Sequence, residues 1–264
     1  MRNIMLGCDP EAFLVDVHGQ LKSSIGLIGG SKEMPRPLFS LGDGFAVQED
    51  NVALEFNIPP AEGRSQYIER IQRTLNFLTS MVKEGSGLTI SQLSAASFPE
   101  SELQDPAALV FGCDPDYNAW TLDVNPKPSA EDKNLRSCGG HVHVGYDVSN
   151  GPSPTEVVRM MDLHLGVPSV LMDKGDLRKN LYGKAGAHRL KPYGVEYRTL
   201  SNFWIFSEKT IGWVWDNTAR SIDAADKYSL TGEDSELVQR AINTNDRGLA
   251  ETLVNRFKLE VVHV

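Results

Sequence analysis

The chain has 264 residues, of which 41% are hydrophobic and 23% are charged, and its formal net charge is −9. This composition is typical of a globular protein with an ample core, and it argues against a disordered chain and against binding to nucleic acid or anionic lipid through overall charge. No apolar run approaches the roughly 20 residues of a membrane span and the N-terminus lacks a signal-peptide pattern, so we expect a cytoplasmic protein.

Two early segments are predicted as strands that carry carboxylates. A strand around residues 3–7 leads directly into Asp9 and Glu11. The segment 52–60 alternates, so that Glu55 shares one face with small or polar residues while the other face is apolar. Two prolines end this second strand.

Amphipathic helices are predicted between the strands. The first covers residues 64–85, has apolar residues at helical spacing and ends at a glycine. The second runs over about 153–166 and begins with a Ser-Pro helix start, and the third spans about 208–227. The tail 231–264 is predicted as short helices that end in a short apolar strand.

Two later strands repeat the pattern of charged groups at alternate positions. In CGGHVHVGY, His141 and His143 lie on one face and apolar side chains lie on the other. The segment 193–204 places Glu196 and Arg198 in the same way. One packed face and one polar face are typical of an antiparallel sheet. We therefore predict an α+β fold in which helices cover the apolar face and the polar face forms the site.

A basic segment stands out in this acidic chain. Its glycines would let the backbone approach a phosphate, although the run is not a Walker loop. Lysines and arginines beside carboxylates are the residue classes that phosphate chemistry with Mg²⁺ or Mn²⁺ requires. Taken alone, such a run would usually be a solvated face. The segment spans 176–198 and contains Arg178, Lys179, Lys184, His188, Arg189, Lys191 and Arg198.

Gly-Cys-Asp-Pro occurs twice, at residues 7–10 and 112–115. Two interpretations stay open: similar turns at strand exits, or two loops that bring polar groups to one site. The polar segment 125–136 leads into the histidine strand and is the best lid candidate. The cysteines have no metal-binding spacing and indicate free thiols in a reducing compartment: Cys8, Cys113 and Cys138.

Four longer motifs contain most of these residues: DPEAFL at 9–14, QEDNVALEFNIPP at 48–60, GGHVHVGY at 139–146 and YGVEYRTLSNFW at 193–204. In this order they resemble the phage-type carboxylate-amine ligases, which are amidoligases of the glutamine synthetase and γ-glutamylcysteine synthetase superfamily. The resemblance covers about residues 1–210. It implies an antiparallel sheet that cups an ATP site, as in the catalytic domain of glutamine synthetase. We expect a catalytic domain at 1–230 and a helical extension at 231–264.

The resemblance also implies roles for particular side chains. Arg198, in the Glu-x-Arg strand, matches the phosphate-binding arginine most strictly. Asn57 stands where many members have a second glutamate, which leaves a third metal ion open. The implied metal ligands are Glu11, Glu55, one or both of His141 and His143, and Glu196, and which histidine binds the metal stays open. The groups expected to contact ATP are Arg178, Lys184, Arg189, Arg198 and His143.

The implied reaction has two steps and needs ATP with Mg²⁺ or Mn²⁺. A substrate carboxylate attacks the γ-phosphorus to give an acyl phosphate, and an amine then displaces phosphate. Asp50, with Glu49 beside it, is the candidate base or ammonium-binding group, so the catalytic candidates are Asp50, Arg189 and Arg198. The expected partners are a small-molecule or peptide carboxylate and an amine donor. The compartment would be a bacterial host's cytoplasm if a phage encodes the protein, and a homo-oligomer stays open.

Alternative functions fit parts of the pattern. A His-x-His strand with a distant glutamate also suits a non-haem iron or zinc enzyme, although such a site does not need the basic segment. A non-catalytic nucleotide-binding protein could keep the fold and act through its tail. Phosphate transfer without amide formation, as in the guanidino kinases, is a related third option.

Overall fold

A computed structural model describes residues 3–109, 116–127, 131–175 and 177–262. Groups of short strands are separated by helices along the chain. The strands are β1 (Met5–Ala12), β2 (Leu14–Val15), β3 (Leu21–Lys22), β4 (Arg36–Pro37), β5 (Ala46–Asp50), β6 (Ala53–Asn57), β7 (Thr89–Ile90), β8 (Ala95–Ser97), β9 (Tyr117–Asn118), β10 (Leu135–Ser137), β11 (Gly140–Gly145), β12 (Ala187–Lys191) and β13 (Gly194–Tyr197). The helices are α1 (Arg64–Ser86), α2 (Pro154–Met161), α3 (Val167–Met172), α4 (Glu208–Ala225), α5 (Gly232–Asn243) and α6 (Arg247–Phe257).

The central element is an eight-stranded sheet in the order β4-β5-β6-β1-β11-β13-β12-β9. Every neighbouring pair in it is antiparallel. Two small sheets, β10-β8 and β3-β2-β7, stand beside it. The predicted α+β fold with an antiparallel sheet is therefore confirmed.

The strand register determines which side chains share a face. Residues directly opposite each other in an antiparallel pair project to the same side, and alternate residues along each strand do so as well. The polar face is thus formed by facing pairs: Asp9 with His141, Glu11 with Glu55, His143 with Glu196, and Glu196 with Arg189.

Helices α1, α2 and α4 cover the opposite face. That face of the sheet contributes buried apolar side chains from β1, β11 and β13, and each helix adds its own apolar stripe. The main core contains Leu6, Val142, Val144 and Val195 from the sheet, Ile68, Ile71 and Leu78 from α1, Val157, Val158 and Met161 from α2, and Ile211, Val214 and Ile222 from α4. Because the helices bury this face of the sheet, the polar face is left on the opposite side.

Strand β1 is longer than the sequence predicts. We expected the strand to end near residue 7 because Asp-Pro favours a turn, but Asp9, Pro10 and Glu11 all lie within β1. The Glu11 amide donates to the Gly139 carbonyl, so the nitrogen of Pro10 points to the other edge. Pairing with β6 on that edge starts only at Glu11. The missing donor of Pro10 therefore disrupts no hydrogen bond of the sheet.

Helix boundaries follow the sequence closely, with two differences. Helix α1 ends on Gly87, which has a left-handed φ of 73°, and not on Gly85. Ser153 caps α2 as predicted, and its hydroxyl accepts from the Glu156 amide. The α-helix stops at Met161, however, and continues as a π-helical turn over Asp162–Gly166 before α3.

The C-terminal region contains two short helices, as expected from the sequence. Helices α5 and α6 pack with α3 and the π-helical turn in a second apolar cluster that includes Leu163, Val238 and Leu253. Residues 259–262 form no strand; Val261 and Val262 pack instead against the main core. The last two residues of the expected apolar ending lie outside the described part. None of the described helices combines the length and the apolar character needed to cross a membrane.

Asp162, in the π-helical turn, is a fully buried carboxylate that connects three parts of the fold. One of its oxygens accepts from the Trp120 indole at 2.7 Å and the Gly186 amide at 2.6 Å, and the other accepts from the Tyr197 hydroxyl at 2.8 Å and the Thr199 hydroxyl at 3.2 Å. Burial raises the pKa of Asp162 to about 6, although these donors oppose the increase. The carboxylate holds β13 and the turn before β12 against the helical layer.

Replacing Asp162 by Asn should destabilise the fold. An amide offers only one accepting oxygen, so its NH₂ group would face two buried donors whichever way it is turned. We expect the free energy of unfolding, measured by urea denaturation, to fall by about 3 kcal/mol. Asp223→Asn, at an exposed position of α4, is the matched control and should change it little. Equal stabilities of the two variants would contradict a central role for Asp162.

Candidate active site

The polar face carries two groups of potential metal ligands, each with its ligand atoms within 4.8 Å of one another. The imidazole cluster consists of Asp9, His141 and Glu196, and the carboxylate cluster consists of Glu11, Asp50 and Glu55. Strand β1 contributes to both, because Asp9 and Glu11 are alternate residues on the same face. The two clusters are therefore neighbours along one strand.

The imidazole cluster converges on one oxygen of Asp9. Its Oδ1 lies 3.3 Å from His141 Nδ1 and 3.1 Å from His143 Nε2. Asp9 Oδ1 and His143 Nε2 are buried, yet neither has a well-formed hydrogen bond within the described residues. Buried polar atoms without a hydrogen bond normally have another partner, such as an ion. A carboxylate oxygen and imidazole nitrogens also form a donor set suited to Mn²⁺ or a related divalent cation.

Basic side chains surround Glu196 on the other side of this cluster. Arg198 forms a very short ion pair with Glu196, Lys191 Nζ lies 2.8 Å from Glu196 Oε2, and Arg189 Nη1 lies 3.5 Å from Oε1. Burial and the charge of Asp9 oppose ionisation of Glu196. Arg198 and the two histidines outweigh both effects and lower its pKa to about 2. The cluster therefore combines a fixed negative charge with three cations that can contact an anion.

The carboxylate cluster has the opposite electrostatics. Burial, followed by the charge of Asp50, raises the pKa of Glu11 to about 7, even though Glu11 Oε2 accepts a 2.7 Å hydrogen bond from the Gly139 amide. Burial and the charges of Asp9 and Glu11 raise the pKa of Glu55 well above its usual value. Glu11 and Glu55 hold their protons in this way unless a cation compensates the crowded charge. An all-oxygen donor set of this kind suits Mg²⁺ or Mn²⁺.

The position of Asp50 depends on the residue that follows it. Asn51 has a left-handed φ of 53° in the tight turn between β5 and β6. Its side-chain Nδ2 donates to the Ala108 carbonyl at 3.0 Å, and its Oδ1 accepts from Arg136 Nε at 3.1 Å. Arg136 Nη2 donates to the same Ala108 carbonyl at 2.8 Å. These bonds connect the turn after Asp50 to the segment around Ala108 and to Arg136, the last residue of the lid candidate.

The family assignment comes from comparison with known proteins. A profile of the family described as "Phage phiEco32-like COOH.NH2 ligase-type 2" matches residues 130–262, just over half of the chain. The chain belongs to this family. The match contains the two histidines, Glu196 and the basic side chains around it, whereas the carboxylate cluster precedes it. The match also includes the C-terminal helices, which the motif resemblance had left outside.

Two solved structures are similar to this chain at low sequence identity. One is described as a novel glutamine synthase homolog; it is 13% identical, with a TM-score of 0.43 over 96% of this chain and 64% of its own. The other is a GmaS/ADP complex, also 13% identical, with a TM-score of 0.37 over 97% of this chain and 68% of its own. This family member thus spans about two thirds of the length of either structure. None of the curated proteins compared with it matches.

Most of the side chains that the sequence singles out meet on the polar face of this family member. Within the two clusters or in contact with them are Glu11, Asp50, Glu55, His141, His143, Arg189, Glu196 and Arg198. These positions match the roles expected from the motifs, but the roles themselves stay predictions.

Three other expected site residues point elsewhere. Lys184 Nζ donates to the Asn243 carbonyl at the end of α5, at 3.1 Å. Arg178 is buried and donates to the carbonyls of Cys138, Thr199 and Arg198, so its guanidinium holds strands together. Glu49 lies on the other face of β5, and its carboxylate accepts from the Gly29 amide at 2.7 Å. The structure therefore does not support direct phosphate contacts for Lys184 and Arg178, nor a place for Glu49 at the site.

The site also contains four residues that the sequence did not predict as site residues. Asp9 was noted only as part of a carboxylate pair, although its alternation with Glu11 is visible in the sequence. Lys191 lies two residues after Arg189 on β12, so the two side chains share a face of the strand. Asp116, whose Oδ2 lies 3.4 Å from Arg198 Nε, directly follows the second Gly-Cys-Asp-Pro. Tyr193 contacts His143, and no sequence pattern indicates it.

Two expectations fall partly on residues outside the described part. The first concerns the second Gly-Cys-Asp-Pro, at 112–115, which includes Cys113. The second concerns residues 128–130 of the lid candidate. The first Gly-Cys-Asp-Pro lies within β1 and is not a turn. Cys8 and Cys138 are buried free thiols, as expected.

Replacing Asp50 by Asn should stabilise the metal-free protein at alkaline pH. The pKa of Glu11 is raised from 4.5 to about 7, so its proton favours the folded state at low pH, and this stabilisation is lost as the pH rises through 7. Above pH 7 Glu11 is ionised, and its repulsion with the charge of Asp50 lowers the stability of the fold. We expect Asp50→Asn to raise the free energy of unfolding by about 1 kcal/mol at pH 8 in the presence of a chelator, and by less at pH 5.

The measurement is urea denaturation at the two pH values. Asp43→Asn, at an exposed loop position, is the control and should show no such pH dependence. A decrease in stability at pH 8 for Asp50→Asn would show that the three carboxyl groups do not repel one another.

Proposed function

We propose that the protein is a carboxylate-amine ligase that uses ATP and a divalent metal and forms an amide bond through an acyl phosphate. One observation supports this most directly. In a chain of this ligase family, one sheet face combines an all-carboxylate cluster, a carboxylate-imidazole cluster and three basic side chains. Phosphate transfer to a carboxylate needs both divalent cations and fixed positive charge, because several negative charges must approach one another.

The two clusters would hold the divalent ions. Glu11 and Glu55 would bind one ion, and Asp9, His141 and Glu196 would bind another, with His143 beside it. Bound ions would neutralise charge on the phosphates of ATP and orient the terminal phosphate. The imidazole cluster should accept Mn²⁺ more readily than Mg²⁺, since Mg²⁺ prefers oxygen ligands.

The basic side chains would bind the phosphates. Arg189 lies on β12 and Arg198 directly follows the neighbouring strand β13, and each is held by an ion pair with Glu196. Lys191 approaches the same carboxylate from the end of β12. Guanidinium groups bind phosphate oxygens in fixed geometry, and an ion pair that orients them in advance reduces the entropy lost on binding.

The reaction then follows from charge and proton balance. In the first step an oxygen of the substrate carboxylate bonds to the γ-phosphorus, and ADP leaves. In the second step the amine nitrogen bonds to the acyl carbon, and inorganic phosphate leaves. An ammonium substrate must lose a proton before it attacks, and we assign this proton to Asp50 at the tip of the β5–β6 turn. The substrates would be a small-molecule or peptide carboxylate and an amine donor.

A non-haem iron enzyme is the second candidate. His141, His143 and Asp9 provide the ligand types of the two-histidine, one-carboxylate iron sites. Such a site has no use for a separate carboxylate cluster or for the cations around Glu196. These features, together with the family, favour the ligase.

Isothermal titration calorimetry of ATP binding tests the proposal. We expect the parent protein to bind ATP only with Mg²⁺ or Mn²⁺, and Glu196→Gln to bind at least about tenfold more weakly because a ligand and the counter-ion of Arg198 are lost. Glu251→Gln, at an exposed site on α6, should bind like the parent. No ATP binding by the folded parent with either ion, together with bound iron, would favour the iron enzyme.

Glu55→Gln separates loss of the site from loss of the fold. Its amide relieves repulsion in the carboxylate cluster, so the metal-free variant should be at least as stable as the parent. It should nevertheless lose metal-dependent ATP binding. Unchanged binding in this variant would remove the carboxylate cluster from the proposed site.

Phosphate release tests the ligase chemistry itself. Candidate carboxylates and amines are screened in pairs with ATP and Mn²⁺. We expect a productive pair to release one phosphate for each amide formed, and the amide to require both substrates. Glu196→Gln should reduce this rate at least about tenfold, because it weakens the contacts that stabilise the transferring phosphate. Phosphate transfer to a substrate without amide formation would instead support a kinase.

A further inference from the structure

We propose that Tyr193 is a positioning residue that fixes the ring of His143, so that His143 Nε2 becomes a metal ligand beside Asp9. Tyr193 is a residue of the turn between β12 and β13. The inference rests on the metal dependence of the proposed function. The ring nitrogen that binds the metal would be Nε2 of His143, and Tyr193 would be the residue that orients the ring.

The contact between the two rings is specific. The hydroxyl of Tyr193 lies 2.8 Å from His143 Nδ1, and the ring planes are 19° apart with centroids 6.3 Å apart. The Tyr193 carbonyl accepts from the Tyr146 amide at 3.2 Å, which anchors the backbone at this point. The side chain is 42% exposed, so packing alone does not enclose it. The hydroxyl of Tyr193 therefore reaches the site from its solvent edge.

An imidazole ring can be turned by 180° about its Cβ–Cγ bond, which exchanges nitrogen and carbon positions at its edge. The bond to Tyr193 selects one of these orientations. It places Nδ1 toward the hydroxyl and Nε2 at 3.1 Å from Asp9 Oδ1. In the turned ring a carbon atom would face Asp9, and no metal could be bound there.

The same bond also supports the tautomer that a metal ion at Nε2 requires. When the Tyr193 oxygen accepts Nδ1–H, the neutral ring keeps a lone pair on Nε2. His143 Nε2 is buried and has no well-formed hydrogen bond within the described residues. Metal-binding histidines generally donate their other ring N–H to a neighbouring oxygen, which fixes the tautomer and the orientation. Tyr193 supplies that oxygen.

The neighbouring histidine is oriented differently. His141 approaches Asp9 Oδ1 through Nδ1, at 3.3 Å, and the same nitrogen lies 3.3 Å from Arg198 Nη1. The two histidines thus present different ring nitrogens to one carboxylate oxygen. Alternation along β11 puts both rings on the same face but does not specify this difference, whereas the contact with Tyr193 does.

Tyr193→Phe tests the inference because it keeps the aromatic ring and removes the hydroxyl. Tyr117→Phe is the matched control: Tyr117 is 44% exposed, and its ring lies 6.4 Å from that of His188 on the same sheet. Binding of Mn²⁺ alone, without ATP, is measured by electron paramagnetic resonance for the parent and both variants. The nitrogen resonances of His143 are recorded by NMR in the metal-free proteins.

We expect Tyr193→Phe to bind Mn²⁺ about 10-fold to 100-fold more weakly, and Tyr117→Phe to bind like the parent. In the metal-free proteins the Nδ1 resonance of His143 should show the hydrogen bond to Tyr193 in the parent and should shift in Tyr193→Phe. Equal Mn²⁺ affinities of the parent and Tyr193→Phe would overturn the role of Tyr193 and leave the proposed function intact. A parent protein that binds no Mn²⁺ would contradict both.

Discussion

Carboxylates are crowded on one face of the central sheet, and the surrounding residues must compensate their charge. Buried like charges at ligand distance repel one another strongly, and a fold can tolerate them only by retaining protons, adding cations or binding metal. The two clusters use different means. Around Glu196 the chain supplies Arg198, Arg189 and Lys191, so the carboxylate stays ionised. In the carboxylate cluster, Glu11 and Glu55 hold their protons more tightly than usual.

The two clusters would therefore have different roles, one in binding a cation and the other in binding an anionic ligand. The cluster with raised pKa values gains most from a divalent cation, since binding would relieve repulsion that the chain itself does not relieve. The cluster around Glu196 already carries cations, which can instead be directed at an anionic ligand. The apolar layer of α1, α2 and α4 stabilises the sheet beneath both clusters. This burial offsets the unfavourable free energy of the crowded charges. Asp162 extends that rigidity to the turn before β12.

Alternation explains why much of the polar face is predictable from the sequence. In a strand the face of a side chain depends only on whether its position is odd or even, so His141, His143 and Glu196 can be placed without knowing their neighbours. Asp9 is harder to place, because the proline after it suggests a turn. Only the change of pairing partner along β1 shows that the strand continues.

The basic segment shows the limit of such reasoning. Long flexible side chains reach partners that are distant in sequence, and the contact of Lys184 with the end of α5 could not be inferred from its local pattern. The same applies to Arg178, whose guanidinium donates to backbone carbonyls just before β11 and just after β13. The contact between Tyr193 and His143 also depends on the turn geometry between two strands. Composition identified these residues as basic or aromatic but contained no information about their direction.

The path of β1 has a consequence for how this protein can vary in length. Alternate residues of a strand are separated by a rise of about 6.8 Å, which covalent geometry determines. Asp9 and Glu11 serve neighbouring clusters at this spacing. A single-residue insertion or deletion between Gly7 and Glu11 would exchange the two faces of the strand on one side of the change, sending a carboxylate into the apolar layer. Strand β1 must therefore keep its length between Gly7 and Glu11.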